Sequence, residues 1–325
     1  MTEGSVLASR LALCAGFVAL LLPAPWALAG EGAFSGKVSF YFSAHEDDWQ
    51  LFMNPSAFQD VVGKAKTVFV HLTAGDAGLG TGTGGRKHPY YLARENGAEA
   101  AIRFMADEAG DRPVDGDAGV KAFNGHPIYR GSYRGTATYF LRLPDGHPTG
   151  SGFKDTGNQS LARLASGQIA SLAAIDGSTS YRGWADLVST LRSIVNYERV
   201  RTPLIQLNVA EQDPRINPDD HSDHQMTAKA ALESAEGLSC ARRVHYVDYA
   251  SRSLAENLQA HERDMESSVL AVTAAGILAR DHANIWNSYF RSYLGRNYFR
   301  AEEATGRCTD HSSMQTAGSA NTTSK

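Results

Sequence analysis

The sequence predicts an α/β fold built on a mostly parallel sheet, with an antiparallel hairpin inserted into it. Three observations carry the prediction. Two apolar, β-prone runs, KVSFYFSA at residues 37–44 and TVFVHLTAG at 67–75, bracket a stretch whose apolar residues have helical spacing. Strand, helix, strand is the pattern of a βαβ unit with parallel pairing. A second pair of runs, TPLIQLNVAE at 202–211 and RRVHYVDYA at 242–250, brackets another helical pattern. Between the two pairs, residues 125–143 turn rich in Tyr, Thr and Phe with Gly breaks, which reads as one or two antiparallel strands.

In chain order, Arg10 precedes the apolar run LALCAGFVALLL at 11–22. Pro23 and Pro25 follow, then Ala27-Leu28-Ala29. This is the layout of a signal peptide over residues 1–29, cleaved after Ala29. The run falls short of the roughly 20 apolar residues a membrane span needs. An uncleaved anchor is the alternative, and Cys14 is poorly placed for lipid attachment. The expected mature chain is secreted or periplasmic, with no membrane span.

The stretch 48–65, DWQLFMNPSAFQDVVGKA, is helical but interrupted at Pro55. A Gly-rich loop, 75–89, leads into a helix at 90–107, YYLARENGAEAAIRFMAD. That loop lacks the Lys-Ser/Thr ending of a phosphate-binding loop, so its glycines are a weak signal for phosphate. After the hairpin and the loop LPDGHPTGSGF, residues 179–198 form an amphipathic helix, with Trp184, Leu187, Val188, Leu191, Ile194 and Val195 on one face. QMTAKAALESAEGL, 225–238, is a helix with Gly237 as its C-cap. Residues 254–304 read as mostly helical, and 305–325 as a disordered polar tail.

The 325 residues are 42% hydrophobic, which suits one large domain with a substantial core. A net charge of -4 provides no basic field, so nucleic acid is not an expected partner. Beyond the leader, the cysteines are Cys240 and Cys308. They could form one disulfide or remain separate thiols, and they are too few for a cysteine-based zinc ribbon. A metal site here must use His and carboxylate.

Two motifs supply such residues. His45-Glu46-Asp47-Asp48 follows the first strand, and Asp220-His221-Ser222-Asp223-His224 follows the third. Ligands of open α/β sheets bind outside the carboxyl ends of the strands, so motifs remote in sequence can meet there. A catalytic zinc takes about three protein ligands and keeps one position open. His45, Asp48 and His224 could be those ligands, leaving Asp47 free as a general base. Helix capping is the competing reading of both acidic stretches. The spacing of a calcium-binding EF-hand loop is absent, as is a G-x-S-x-G nucleophile elbow. His71, His88, His126, His147, His245, His261 and His282 show no metal-type spacing.

SAHEDDWQLFMNP resembles the AHPDD signature of the PIG-L/LmbE family of zinc-dependent de-N-acetylases, which act on N-acetylglucosaminyl compounds. HSDH at 221–224 resembles that family's later HPDH motif. TAGDAG followed by ARENGAEAA is similar to the segment between them, and YFLRLPDG and residues 152–187 to a secreted branch. The likeness covers roughly residues 38–249. It implies a Rossmann-like three-layer α/β/α sandwich over a deacetylase domain at 30–304. It implies zinc held by His45, Asp48 and His224, with Asp47 as general base. His221 would stabilise the tetrahedral intermediate, oriented by Asp223, and Arg94 would contact substrate. Three positions depart from the pattern: Glu46 replaces the usual Pro, Trp49 an acidic residue, and Gly97 a common Glu. The first two bear on the loop's shape and on the sugar bound beside it, and Gly97 on how that helix contacts substrate.

The expected function is zinc-dependent hydrolysis of an N-acetyl group from an N-acetylglucosamine-type amino sugar in an extracytoplasmic glycan. Two other classes compete. A catalytically inactive carbohydrate-binding protein would be marked by loss of Asp47, which is present. A zinc amidase acting on a larger conjugate would be marked by a larger pocket. No oligomeric state follows from the sequence.

Overall fold

The computed structural model describes residues 36–304, apart from 111, 113, 115 and 200–203, together with residue 308. The leader pattern at 1–29 and, Cys308 excepted, the tail at 305–325 lie outside the described residues. The first half of the chain runs β1 (Lys37–Ser43), α1 (Asp48–Phe52), α2 (Ser56–Val62), β2 (Lys66–Thr73), α3 (Tyr90–Glu108), β3 (Gly116–Phe123), β4 (His126–Tyr133) and β5 (Thr136–Leu143). The second half runs α4 (Leu161–Ala165), β6 (Ser171–Ala173), β7 (Ser180–Arg182), α5 (Gly183–Glu198), β8 (Leu204–Ala210), α6 (Ser222–Ser234), β9 (Ala241–Tyr246), α7 (Ala260–Leu278), α8 (Ser288–Arg291) and β10 (Phe299–Glu302).

Eight strands form one sheet in the order β10-β9-β8-β1-β2-β5-β4-β3, and β6 and β7 pair separately. β9, β8, β1, β2 and β5 are mutually parallel. Each is an apolar run because helices cover both faces of the sheet. Side chains alternate across a strand, so β1 feeds two cores. Val38, Phe40 and Phe42 pack with Leu161, Leu187, Leu191 and Ala228 of α4–α6, whereas Tyr41 packs with Trp49, Val61, Ala101 and Val269 of α1–α3 and α7. The architecture is the expected three-layer sandwich with a mostly parallel sheet.

The antiparallel element is larger than predicted. β5 pairs in parallel with β2, and β4 and β3 continue outward from it as a meander. β3 escaped prediction because all but its last residue are exposed, so it shows no apolar face. The 254–304 region also differs from expectation. α7 and the single turn of α8 are helical, but the chain then returns as β10, an exposed edge strand antiparallel to β9. The cysteine alternatives resolve to a Cys240–Cys308 disulfide with Cα atoms 5.3 Å apart.

Gly97 has a packing reason. It lies where α3 crosses α7, and a Cβ there would stand 2.8 Å from the Thr273 carbonyl oxygen. Opposite it, a Cβ on Gly276 would stand 2.7 Å from Gly97 Cα. The two glycines permit this close approach, and a Glu at 97 would have no room.

The connections define where a ligand sits. From β1 the chain moves outward through β2 to β5, then crosses back to β8 on the other side of β1 and continues to β9. The strand order therefore reverses between β1 and β8, and a crevice opens at the carboxyl ends of strands at such a switch point. His45 follows β1 and His224 opens α6 after β8, so the two motifs flank that crevice.

Candidate metal centre and cleft

Three donor atoms converge at the switch point. His45 Nδ1 lies 3.3 Å from Asp48 Oδ1 and 3.3 Å from His224 Nε2, and His224 Nε2 lies 3.2 Å from Asp48 Oδ1. Donors held tetrahedrally at about 2.0–2.1 Å from one zinc are separated by about 3.3–3.4 Å. The triangle thus has the size of one face of such a tetrahedron. Two ring nitrogens and one carboxylate oxygen, all buried and within 3.3 Å of one another, are a donor set that can hold one cation.

The surroundings hold this triangle in place. Asp48 Oδ2 accepts a 2.7 Å hydrogen bond from the His45 amide. The far nitrogen of His224, Nδ1, contacts Asp220 Oδ1 at 2.8 Å and Asp248 Oδ2 at 3.2 Å, the carboxylate support common behind a metal-bound His. Phe52 and Tyr249 pack against the His224 ring, with centroids at 5.9 and 5.0 Å. Burial alone would lower the pKa of His45 and His224, but Asp48, joined by Asp223 at His45 and by Asp220 at His224, raises both. Burial alone would raise Asp48, yet His224 and His45 hold it well below the usual carboxylate range. Among these acids the field favours positive charge, as a cation site requires.

The other predicted residues fall around this cluster. Asp47 occupies the N-cap position of α1, but its side chain makes no capping bond, so capping does not explain it. Its Oδ1 is held by Arg94 Nη2. Capping does describe His221, the N-cap of α6, whose Nδ1 accepts from the Asp223 amide at 3.1 Å. That bond leaves the proton of the neutral ring on Nε2. Burial and the neighbouring His45 and His224 push the His221 pKa down to about 2, which keeps the ring neutral.

Asp223 contacts His221 at hydrogen-bond distance through its backbone amide. Its carboxylate stands 3.9 Å from the His221 ring and instead accepts from the Gly146 amide at 2.7 Å. Gly146 is needed for that approach, since a Cβ there would lie 2.4 Å from Asp223 Oδ1. Arg94 is nearly buried, with its guanidinium also on Gly75 and Glu46.

Sequence reasoning missed several participants. Asp145, after β5, lies 3.9 Å from both His45 Nε2 and His221 Nε2. Asp248, after β9, stands behind His224. Each is an acid soon after an apolar strand, the same signal that marked His45, but LPDGH and YVDYA resemble ordinary turns. A cleft of about 660 Å³ opens over the cluster. Its lining is aromatic at Phe52, Phe153, Tyr249, Tyr289, Phe290 and Tyr293, half of them from the segment around α8, and polar at His45, Asp47, Asp48, Arg94, Asp145 and His221. Among the described residues, no helix is long and apolar enough to cross a membrane.

No family model and no curated protein matches the chain. Solved structures that resemble it include N,N'-diacetylchitobiose deacetylase from Pyrococcus horikoshii with an inhibitor. That likeness has 16% identity over 82% of this chain and 84% of that one, with a TM-score of 0.44. A deacetylase of the A40926 pseudoaglycone has 16% identity over 83% and 98%, at 0.41. A zinc-inhibited form of a teicoplanin deacetylase has 14% identity over 79% and 90%, at 0.42. Identity this low and superposition this partial speak neither to chemistry nor to substrate.

Proposed function

We propose that this protein is a zinc-dependent hydrolase that removes the N-acetyl group from an N-acetylglucosamine-type amino sugar. The observation that carries the proposal is the triangle of His45 Nδ1, Asp48 Oδ1 and His224 Nε2, with sides of 3.2 to 3.3 Å, beside Asp47 at the base of an open cleft. The amino-sugar substrate is supported by the resemblance of SAHEDDWQLFMNP and HSDH to the de-N-acetylase motifs. The leader-like pattern at 1–29 favours a glycan outside the cytoplasm.

In this reading His45, Asp48 and His224 hold the ion. Zinc in such a site supplies Lewis-acid polarisation of a carbonyl and lowers the pKa of water to about 7. Asp47 accepts the proton of the attacking water and later returns it to the leaving amine. His221, neutral with its proton on Nε2, donates to the oxygen that becomes negative as the amide carbon turns tetrahedral. Asp223 acts through its amide, which sets the His221 tautomer. The aromatic lining offers ring faces for a pyranose and narrows access of bulk water.

The test is acetate release from a panel of N-acetylated glycans by the purified protein, before and after chelation and with zinc restored. Release that chelation abolishes and zinc recovers is the expected result. Release indifferent to metal, or none from any glycan, would overturn the proposal.

A further inference from the structure

Glu46 stands where the resembling family carries Pro, and its carboxylate is buried at 1% exposure. Neither of its oxygens has a hydrogen-bond partner among the described residues. Arg94 stands against it, with Nε 3.0 Å from Glu46 Oε2. The rest of the guanidinium is also committed: Nη1 donates to the Gly75 carbonyl at 2.9 Å, and Nη2 donates to Asp47 Oδ1. Gly75 is a required neighbour, because a Cβ there would lie 2.5 Å from Arg94 Nη1 and 2.6 Å from Glu46 Oε2.

We propose that Glu46 and Arg94 form a clamp that positions Asp47, and that Arg94 is a positioning residue rather than a substrate contact. This rests on the reading of Asp47 as the base. A guanidinium is a planar fork with fixed donor directions, so partners on Glu46 and Gly75 determine where its remaining edge points. That edge takes Asp47 Oδ1. Oδ2 accepts no hydrogen bond from the described residues and is the oxygen left to take a proton. Arg94 projects from the buried helix α3, and the Gln50 side chain bonds the Glu46 carbonyl at 2.9 Å, so both jaws stand on packed structure. A loop carboxylate free to rotate would meet its proton in the right geometry only part of the time, and a misplacement of about 1 Å can cut rate by about 10²-fold.

The experiment pairs Glu46→Gln, which keeps shape and replaces the carboxylate, with Arg94→Lys, which keeps charge and removes the fork. Crystal structures and steady-state kinetics are obtained for both and for the wild type. The clamp predicts that Arg94 Nη2 leaves Asp47 in Glu46→Gln. It also predicts that kcat falls about 10- to 100-fold in both variants while KM stays within about twofold. A rise in KM at unchanged kcat in Arg94→Lys would make Arg94 a substrate contact and overturn the proposal. So would a Glu46→Gln enzyme that melts earlier but keeps Arg94 on Asp47 and kcat intact. If the wild type releases no acetate from any glycan, the proposed function fails. The clamp is then decided by the crystal structures alone, standing if Arg94 moves in Glu46→Gln and falling if it does not.

Discussion

At the amino-terminal end of the sheet, buried and half-buried carboxylates are paired with cations and hydroxyls. Glu198 Oε1 accepts from Arg130 Nε at 2.9 Å and from the Tyr139 hydroxyl, and Oε2 lies 2.5 Å from Lys66 Nζ. Asp60 accepts from Ser39 and Tyr41 at 2.5 and 2.8 Å and from Lys37. At the carboxyl end His and Asp side chains crowd together, and only some of their atoms find partners. Three donors point at one another, and His45 Nε2, Asp223 Oδ1 and Asp248 Oδ1 have no hydrogen-bond partner among the described residues. A fold tolerates buried charge when it is paired. One end of this sheet pairs its carboxylates with Lys and Arg, and the other gathers His and Asp beside the cleft.

The largest effect that could break this comparison is at Asp47. Asp47→Asn keeps the size and removes the basicity, and the expected loss of turnover is about 10²- to 10⁴-fold with metal content unchanged. Turnover at the wild-type rate would remove Asp47 from the mechanism.

At the opposite end, Glu198→Ala leaves Lys66 and Arg130 without their buried carboxylate. Breaking one side of such a pair costs about 3–5 kcal/mol of stability. Denaturant unfolding should register that loss while metal content per folded molecule stays constant. Loss of metal in this variant would join the two ends that the comparison separates. Although burial alone would raise the Glu198 pKa, Lys66 and Arg130 hold it below the usual value. Its contribution is therefore present above about pH 4.5 and is lost as pH falls through the folded pKa.

A third carboxyl belongs to neither class. Glu266 on α7 is buried, with one oxygen accepting from the Gly295 amide at 2.6 Å and the other unpartnered. Burial pushes its pKa up to about 8. The folded state then binds a proton that the unfolded state has released, so stability falls as pH rises from about 4.5 to 8. Glu266→Gln should raise the melting temperature at pH 8 and lose that advantage at pH 5. A melting temperature that stays equal to wild type at pH 8 would contradict a protonated Glu266.

The parts of the molecule legible in the sequence were those where one physical signal dominates. β1, β2, β8 and β9 are apolar because both faces of the sheet are covered, and α5 shows its buried stripe. β3, the β6–β7 pair and β10 carry no such signal, since they are short or exposed, and β10 in addition pairs with a strand remote in sequence. The site divides in the same way. His45, Asp47, Asp48, His221, Asp223 and His224 sit in two dense motifs, so they could be named in advance. Asp145 and Phe153, Asp248 and Tyr249, and Tyr289, Phe290 and Tyr293 arrive from three other segments, and only the fold brings them together. Arg94 was named, but its engagement with Glu46 depends on how α3 packs beside the β1 loop, which no local pattern encodes.

The most direct test of the central claim is the metal content of the purified protein, measured by inductively coupled plasma mass spectrometry on the wild type, Asp48→Ala and His224→Ala. The account predicts about one zinc per chain in the wild type and a large loss in each variant, because each removes a corner of the donor triangle. Wild-type protein that takes up no divalent metal, or His224→Ala protein that retains a full equivalent, would contradict it.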